Sequence, residues 1–157
     1  MDVQAFWAFA GQSWSVASIR EPLLRWQHEK ELDIIFLLFA CWHPHRLPPT
    51  HWAFLQAGSR YWHERATVRV RKLRGRLKPL AWLDGYQACL NLELHTERAV
   101  SEWLCRMSAG RFSHTAPAPN VEQRLRRLFP ELPPDELHTL VDICALIPQQ
   151  SGPRHRL

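Results

Sequence analysis

The chain has no Cys-x-x-Cys pair, no Gly-rich phosphate loop and no apolar run longer than nine residues. Each absence excludes a class. Crossing a bilayer as a helix takes about 20 apolar residues, so the longest run, Ile34–Trp42, is too short to span one. The four cysteines, Cys41, Cys89, Cys105 and Cys144, each sit in an apolar helical context. They read as buried thiols of a reducing compartment, not as a disulfide scaffold. Near the N-terminus Asp2 stands where a secretion signal carries Lys or Arg, so the expected compartment is the cytoplasm. With no nucleophile–base pairing in view, catalysis is not expected, and neither is a cofactor.

What is present is a folded-protein composition. The 157 residues are 46% apolar and 22% charged, enough for a real core, and the net charge is +5. Eight tryptophans are many for this length. They read as bulky core and rim packing, with a ligand or interface surface built from several of them as the alternative.

The apolar spacing is helical throughout. Residues 3–18 form one amphipathic helix, and Ser18 with Glu21 makes a capping box for a second helix running through "REPLLRWQHEK". Asp33 can cap Ile34–Trp42, which is apolar on every side and reads as the buried central helix of a bundle. After the "HRLPPTH" loop a long helix runs to about residue 78. Its expected seam is Trp52, Leu55, Ser59, Trp62, Ala66, Val70, Leu73 and Leu77. Pro79 interrupts it, and a second long helix over about residues 80–107 has an expected seam of Trp82, Gly85, Cys89, Leu92, Thr96, Ala99, Trp103 and Met107. The two should pack as an antiparallel pair. Residues 108–119 read as a linker, 120–147 as a short C-terminal helical hairpin and 148–157 as a disordered tail. The fold class is therefore all-α: a helical bundle core over residues 1–107 with a long antiparallel helix pair, followed by the hairpin.

The segments "FWAFAGQSW", "LLRWQHEKELDIIFLLFACW", "RVRKLRGRLKPL" and "CLNLELHTERAV" together resemble a small uncharacterised family of all-helical bacterial proteins, a domain of unknown function. Asp33, Leu37, Leu38 and Trp42 match its Gly-x-Asp-Val-Asn-x-Leu-Leu…Trp segment, and Glu93, Leu94, Glu97 and Arg98 match its Glu-Leu-x-x-Glu-Arg segment. The pattern's Gly is Glu31 here and its Asn is Ile35. The resemblance spans about residues 5–107. It implies an all-α bacterial cytoplasmic protein and carries over no catalytic residue.

Three constellations could carry chemistry. Cys41, His43, His45 and His51 are zinc-ligand types, but their spacing fits no finger or ribbon. They read as a core thiol with solvated or helix-capping histidines, so no metal is expected. Glu93 and Glu97 lie one turn apart with His95 on another face and no second Glu-x-x-His, so they read as salt-bridge partners for the basic helix.

That helix is the third. Residues 60–78 contain eight Lys or Arg and one Glu, a charge of +7 that leaves the rest of the chain near −2. Arg60, Arg71, Arg74 and Lys78 form one row, and Arg65, Arg69, Lys72 and Arg76 the adjacent one. Such a face calls for anions. They could be internal (Glu93, Glu97, Glu102, Asp84) or those of an acidic protein or a nucleic acid. The leading function is a helical binding or adaptor protein acting through protein contacts. The alternatives are a nucleic-acid-associated protein using the basic rows and, behind that, an enzyme or metal-binding protein. No membrane partner is expected.

Overall fold

The computed structural model describes residues 1–110 and 119–147, and among them the chain forms eight α-helices and no strand. The class is all-α, as the periodicity implies. The expected linker lies mostly, and the expected tail wholly, outside the described residues.

The first two helices are α1 (Val3–Ser15) and α2 (Ala17–Lys30). The Asp2 carboxylate caps α1 by accepting from Gln4 N at 2.8 Å. The expected Ser18 capping box is not used: α2 starts one residue after α1 ends, with Val16 at its N-cap and no side-chain cap bond. Val16 N donates to Ser13 O and Ile19 N to Val16 O, so backbone alone turns this corner. Helix α2 ends at Glu31 with φ 48°, the left-handed conformation that favours Gly. This is the position where the resembled pattern has Gly.

The nine-residue run is helix α3, Ile34–Trp42. Asp33 caps it, accepting from Phe36 N at 3.1 Å, and every residue of α3 except Ile35 is buried. A helix that is apolar all round needs neighbours on all sides. Here α1 packs across it through Phe6 against Phe39 (ring centroids 5.4 Å apart) and Trp42 (5.3 Å). From the next segment Trp52 packs against Phe36 and Phe39.

That next segment is helix α4 (Pro49–Trp62), a π-helical turn (His63–Thr67), helix α5 (Val68–Leu77) and a 3-10 turn (Lys78–Leu80). Helix α6 (Leu83–Ser108) returns beside it. The partner position on α6 falls as the position on α4–α5 rises: Gly58 meets Trp103, Thr67 meets Thr96, and Arg71 meets Glu93. The two arms therefore run in opposite directions. Among the described residues, no helix is long and apolar enough to cross a membrane.

Helices α7 (Val121–Leu128) and α8 (Pro134–Ala145) close the other side of α3. Leu125, Phe129 and Leu137 join the same core as Phe36 and Leu38. Two polar ties fix them. Arg124 donates from Nη1 to the Ala40 and His43 carbonyls (2.7 and 2.9 Å) and from Nη2 to His45 O (3.2 Å), with its guanidinium over the Trp52 ring. It thus satisfies carbonyls at the C-terminal end of α3 that have no partner within the helix. Burial lowers its pKa to about 10, which leaves it charged at neutral pH. Trp26 Nε1 donates to Glu136 Oε2 at 2.8 Å, tying α2 to α8.

Replacing Leu38, 2% exposed, by Ala should lower stability by about 2–5 kcal/mol in urea titration, and an unchanged midpoint would remove α3 from the core. Arg124→Leu removes a buried donor shared by the Ala40, His43 and His45 carbonyls and should cost on the order of 2–4 kcal/mol on the same measurement.

Candidate functional site

The hairpin of α4–α5 and α6 has the polar groups on its inside. On α4 the buried positions are Trp52, Leu55 and Ser59, as the seam requires. The next two are His63 and Thr67, not Trp62 and Ala66, and the next two facing inward are Arg71 and Arg74, whose side chains are 20% and 25% exposed. Trp62 and Leu73, placed in the seam by their spacing, are 44% and 48% exposed. The π turn is the cause. It winds more residues per turn than an α-helix, so every position after it is rotated relative to the stripe that α4 began. On α6 the seam holds at Gly85 and Cys89 and then passes through Glu93, Val100 and Leu104; Leu92 is exposed, as is Trp82.

Glu93 is the centre of this interior. Its Oε1 accepts from Arg71 Nε at 2.7 Å and its Oε2 from Arg74 Nε at 3.0 Å. Arg74 Nη1 also donates to the Tyr86 hydroxyl at 3.1 Å, and Arg71 Nη2 lies 3.5 Å from Glu97 Oε1. With the Gln27 amide oxygen turned inward, it accepts from Arg71 Nη2 at 2.9 Å. One turn away Thr67 and Thr96 exchange a hydroxyl bond of 3.2 Å, and Thr96 donates to Glu93 O. Asp33 joins from the start of α3: its Oδ2 accepts from Ser59 Oγ at 2.6 Å. His63 Nε2 donates to the Glu31 carbonyl at 2.9 Å, which holds the strained end of α2 against the π turn. A space of about 10 Å³, roughly one water, lies among Gln27, Asp33, His63, Arg71 and Glu97.

The electrostatics of this cluster are unbalanced. Three carboxylates (Asp33, Glu93, Glu97) meet two guanidiniums, and Arg71 and Arg74 both lie nearest to Glu93. Burial first, and then repulsion from Glu93, push the Glu97 carboxyl up to about 7.

The basic residues therefore divide. Arg71 and Arg74 are inside. Arg60 lies before the π turn, so the row Arg60, Arg71, Arg74 and Lys78 is broken; Arg60 pairs instead with Glu64 at 4.0 Å on the surface. Lys72 pairs with Glu31 at 3.2 Å, and Arg65 lies over the Tyr61 ring. Arg69, Arg76 and Lys78 are exposed on α5 and the turn after it. Of the expected internal anions, Glu93 and Glu97 take this role. Glu102 pairs with Arg98, and Asp84 is exposed in the first turn of α6, where the helix dipole favours a negative charge.

Of the Cys41, His43, His45 and His51 set, His43 and His45 stand together, with ring centroids 6.0 Å apart. Cys41 is buried beside Cys144. His43 is not a solvated loop residue: it is 1% exposed, packed between Phe39 and Trp52, and burial drives its imidazole down to about 3. His51 Nε2 donates to Met107 O at 3.0 Å. Among the described residues no three His, Cys, Asp or Glu side chains gather as a metal site would need.

Periodicity gave no sign of a groove of about 500 Å³ where α1, α2 and α6 meet at the start of α3. Trp7, Trp14, Leu24, Ile35, Leu90 and Leu94 supply most of its lining, and Gln27, Arg74, Glu93 and Glu97 the polar part. Ala10 and Gly11 lie between the two tryptophans on α1, and a Cβ at Gly11 would meet nothing within 4 Å, so the depression there is open. The small residues between two tryptophans seven apart were the available signal.

A protein-family model, described as a protein of unknown function (DUF2390), matches residues 5–104. The chain belongs to the DUF2390 family. The matched span takes in α1 to most of α6, and with them Asp33, Arg71, Arg74, Glu93, Glu97 and the whole groove; α7 and α8 lie beyond it. No curated protein and no solved structure matches this DUF2390 chain.

A carboxyl raised in the fold adds stability at low pH that is lost as pH rises through its folded value. Native stability should therefore fall by on the order of 1–3 kcal/mol between pH 5 and pH 8 relative to Glu97→Gln, which has nothing to ionise. Parallel pH profiles for the two proteins would mean that Glu97 titrates as an ordinary carboxylate.

Proposed function

We propose that this chain is a cytoplasmic, non-catalytic binding protein that works through protein contacts on the outer surface of its long hairpin. One observation carries the reading: the far half of the hairpin holds Arg71, Arg74 and Glu93 inside and several of its large apolar side chains outside. Leu80, Trp82 and Leu83 at the tip are 70%, 59% and 78% exposed, and Leu92 and Leu94 farther along α6 are 50% and 53% exposed. Helix α5 has no buried residue and packs chiefly on α6. Single exposed leucines need no explanation, but apolar side chains gathered along one projecting element mark an interaction site. Two helices that needed only to pair would put these side chains between them.

The runner-up is supported by Arg69, Arg76 and Lys78, exposed cations close to the same tip. A nucleic acid would meet them through phosphate. Arg71 and Arg74 are occupied by Glu93, and Arg60 and Lys72 pair with Glu64 and Glu31, so four of the eight cations that the sequence offers are left for it.

Pull-down from a nuclease-treated lysate separates the two. A protein partner should survive nuclease and be lost with Leu80→Gln plus Leu92→Gln, while Arg69→Gln, Arg76→Gln and Lys78→Gln leave most of it. Retention that nuclease abolishes, with a salt slope that shrinks by about one unit per cation removed, would transfer the function to the nucleic-acid reading.

A further inference from the structure

We propose that the groove between α1, α2 and α6 is the seat of an amphipathic helix from a protein partner, one that presents a stripe of large apolar residues and places a Lys or Arg beside Glu97. The proposal rests on the protein-binding reading above and names the chemistry of the partner.

The shape fits a helix. Leu83, Leu90, Leu94 and Glu97 recur on α6 at intervals of seven, four and three, so they share one stripe. From Leu83 to Glu97 that stripe runs about 21 Å, close to four helical turns. Trp7 and Trp14 on α1 form the facing wall, two turns apart, with Ala10 and Gly11 lowering the floor between them. An apolar trough between helices, open along its length, takes the apolar face of another helix through residues at i, i+3 or i+4, and i+7.

The charge identifies what accompanies the apolar stripe. The groove belongs to a protein of net charge +5, yet its own polar lining is Glu93, Glu97, Arg74 and Gln27. Behind these stand Arg71, Asp33 and His63 from α5, the start of α3 and the π turn. Glu93 takes both guanidiniums at 2.7 and 3.0 Å, while Glu97 has Arg71 only at 3.5 Å. One carboxylate is thus left in excess, 20% exposed, on the wall of an apolar trough. A cation brought by the occupant completes the set. An anion would face two carboxylates and find both guanidiniums already engaged. Burial and the repulsion from Glu93 raise the pKa of Glu97 to about 7, so a basic occupant should bind more strongly at pH 8, where this carboxylate is charged, than at pH 6.

The test uses two labelled synthetic helices of about five turns. They have leucines at the same i, i+4 and i+7 positions and differ in a single flanking residue, Lys in one and Glu in the other. Binding is read by fluorescence anisotropy. The net charge of the protein alone would favour the Glu peptide, so general electrostatics works against the proposal. The Lys peptide should bind about five- to tenfold more tightly. Glu97→Gln should remove that preference while keeping the apolar affinity, and Leu94→Gln, a change on the surface, should weaken both peptides. Equal binding, preference for the Glu peptide, no binding of either, or indifference to Leu94→Gln would each overturn the groove assignment. A nuclease-resistant partner together with peptides that show no preference would defeat this inference alone. A clear Lys preference with no nuclease-resistant partner would defeat the wider reading alone.

Discussion

Glu93 between Arg71 and Arg74 is the contact around which the rest of the hairpin is arranged. A carboxylate that is 8% exposed must have partners, and among the described residues the cations that meet it come from the opposite helix. Once those two arginines face inward, the faces of α5 left over are those of Leu73, Arg69, Lys72 and Arg76, and all four are exposed. Helix α6 responds in kind, with Glu93 inside and Leu92 and Leu94 outside. A buried ion pair of this kind is a weak source of stability, since desolvation offsets most of the attraction. What it fixes is orientation: with one partner turned outward, the other would be left charged and alone.

The polar interior is continuous with the rest of the fold. Asp33 caps α3 and holds Ser59; His63 holds the end of α2; Gln27 of α2 reaches Arg71. The start of the most apolar helix in the molecule is therefore anchored in its most polar region. At the other end of α3, Arg124 gathers the terminal carbonyls. The start of the central helix is thus capped by its own Asp33, its end by a side chain from a distant segment, and its middle is left to apolar packing.

Much of this was legible in the sequence. The run Ile34–Trp42 was readable as a buried helix because nine apolar residues in succession leave no polar face. The two long helices and their proline break followed from spacing. What spacing could not supply was the register beyond residue 62. A periodicity argument assumes an unbroken α-helix and assigns the inside to the greasier side, and here both assumptions fail at once. The π turn has no strong signature in "HERAT", and the arginines go inside because Glu93 and Glu97 wait for them across the interface, information that sits 20 residues away in the chain. The pairing of the basic helix with Glu93 and Glu97 was legible from charge alone; that Arg71 and Arg74 were the ones chosen was not. His43 does stand at the C-cap of α3, one of the two places expected of it, but its burial was missed for a related reason. It follows a proline-bounded helix end, a place where histidines are commonly wet, and only the arrival of Trp52 and Arg124 from elsewhere buries it.

The π turn also makes the hairpin a construction that a change of winding could invert. Rewinding His63–Thr67 as ordinary α-helix, with no residue removed, would let α4 run into α5 without a break and turn every later position by about 100°. Val70 and Leu73 would then lie along the line that Leu55 and Ser59 begin, and the arginines would swing to the outside. The same side chains would make an oily zipper with a charged coat, in place of a charged zipper with an oily coat. The winding of the π turn thus decides whether this hairpin keeps its apolar surface for itself or offers it to another molecule.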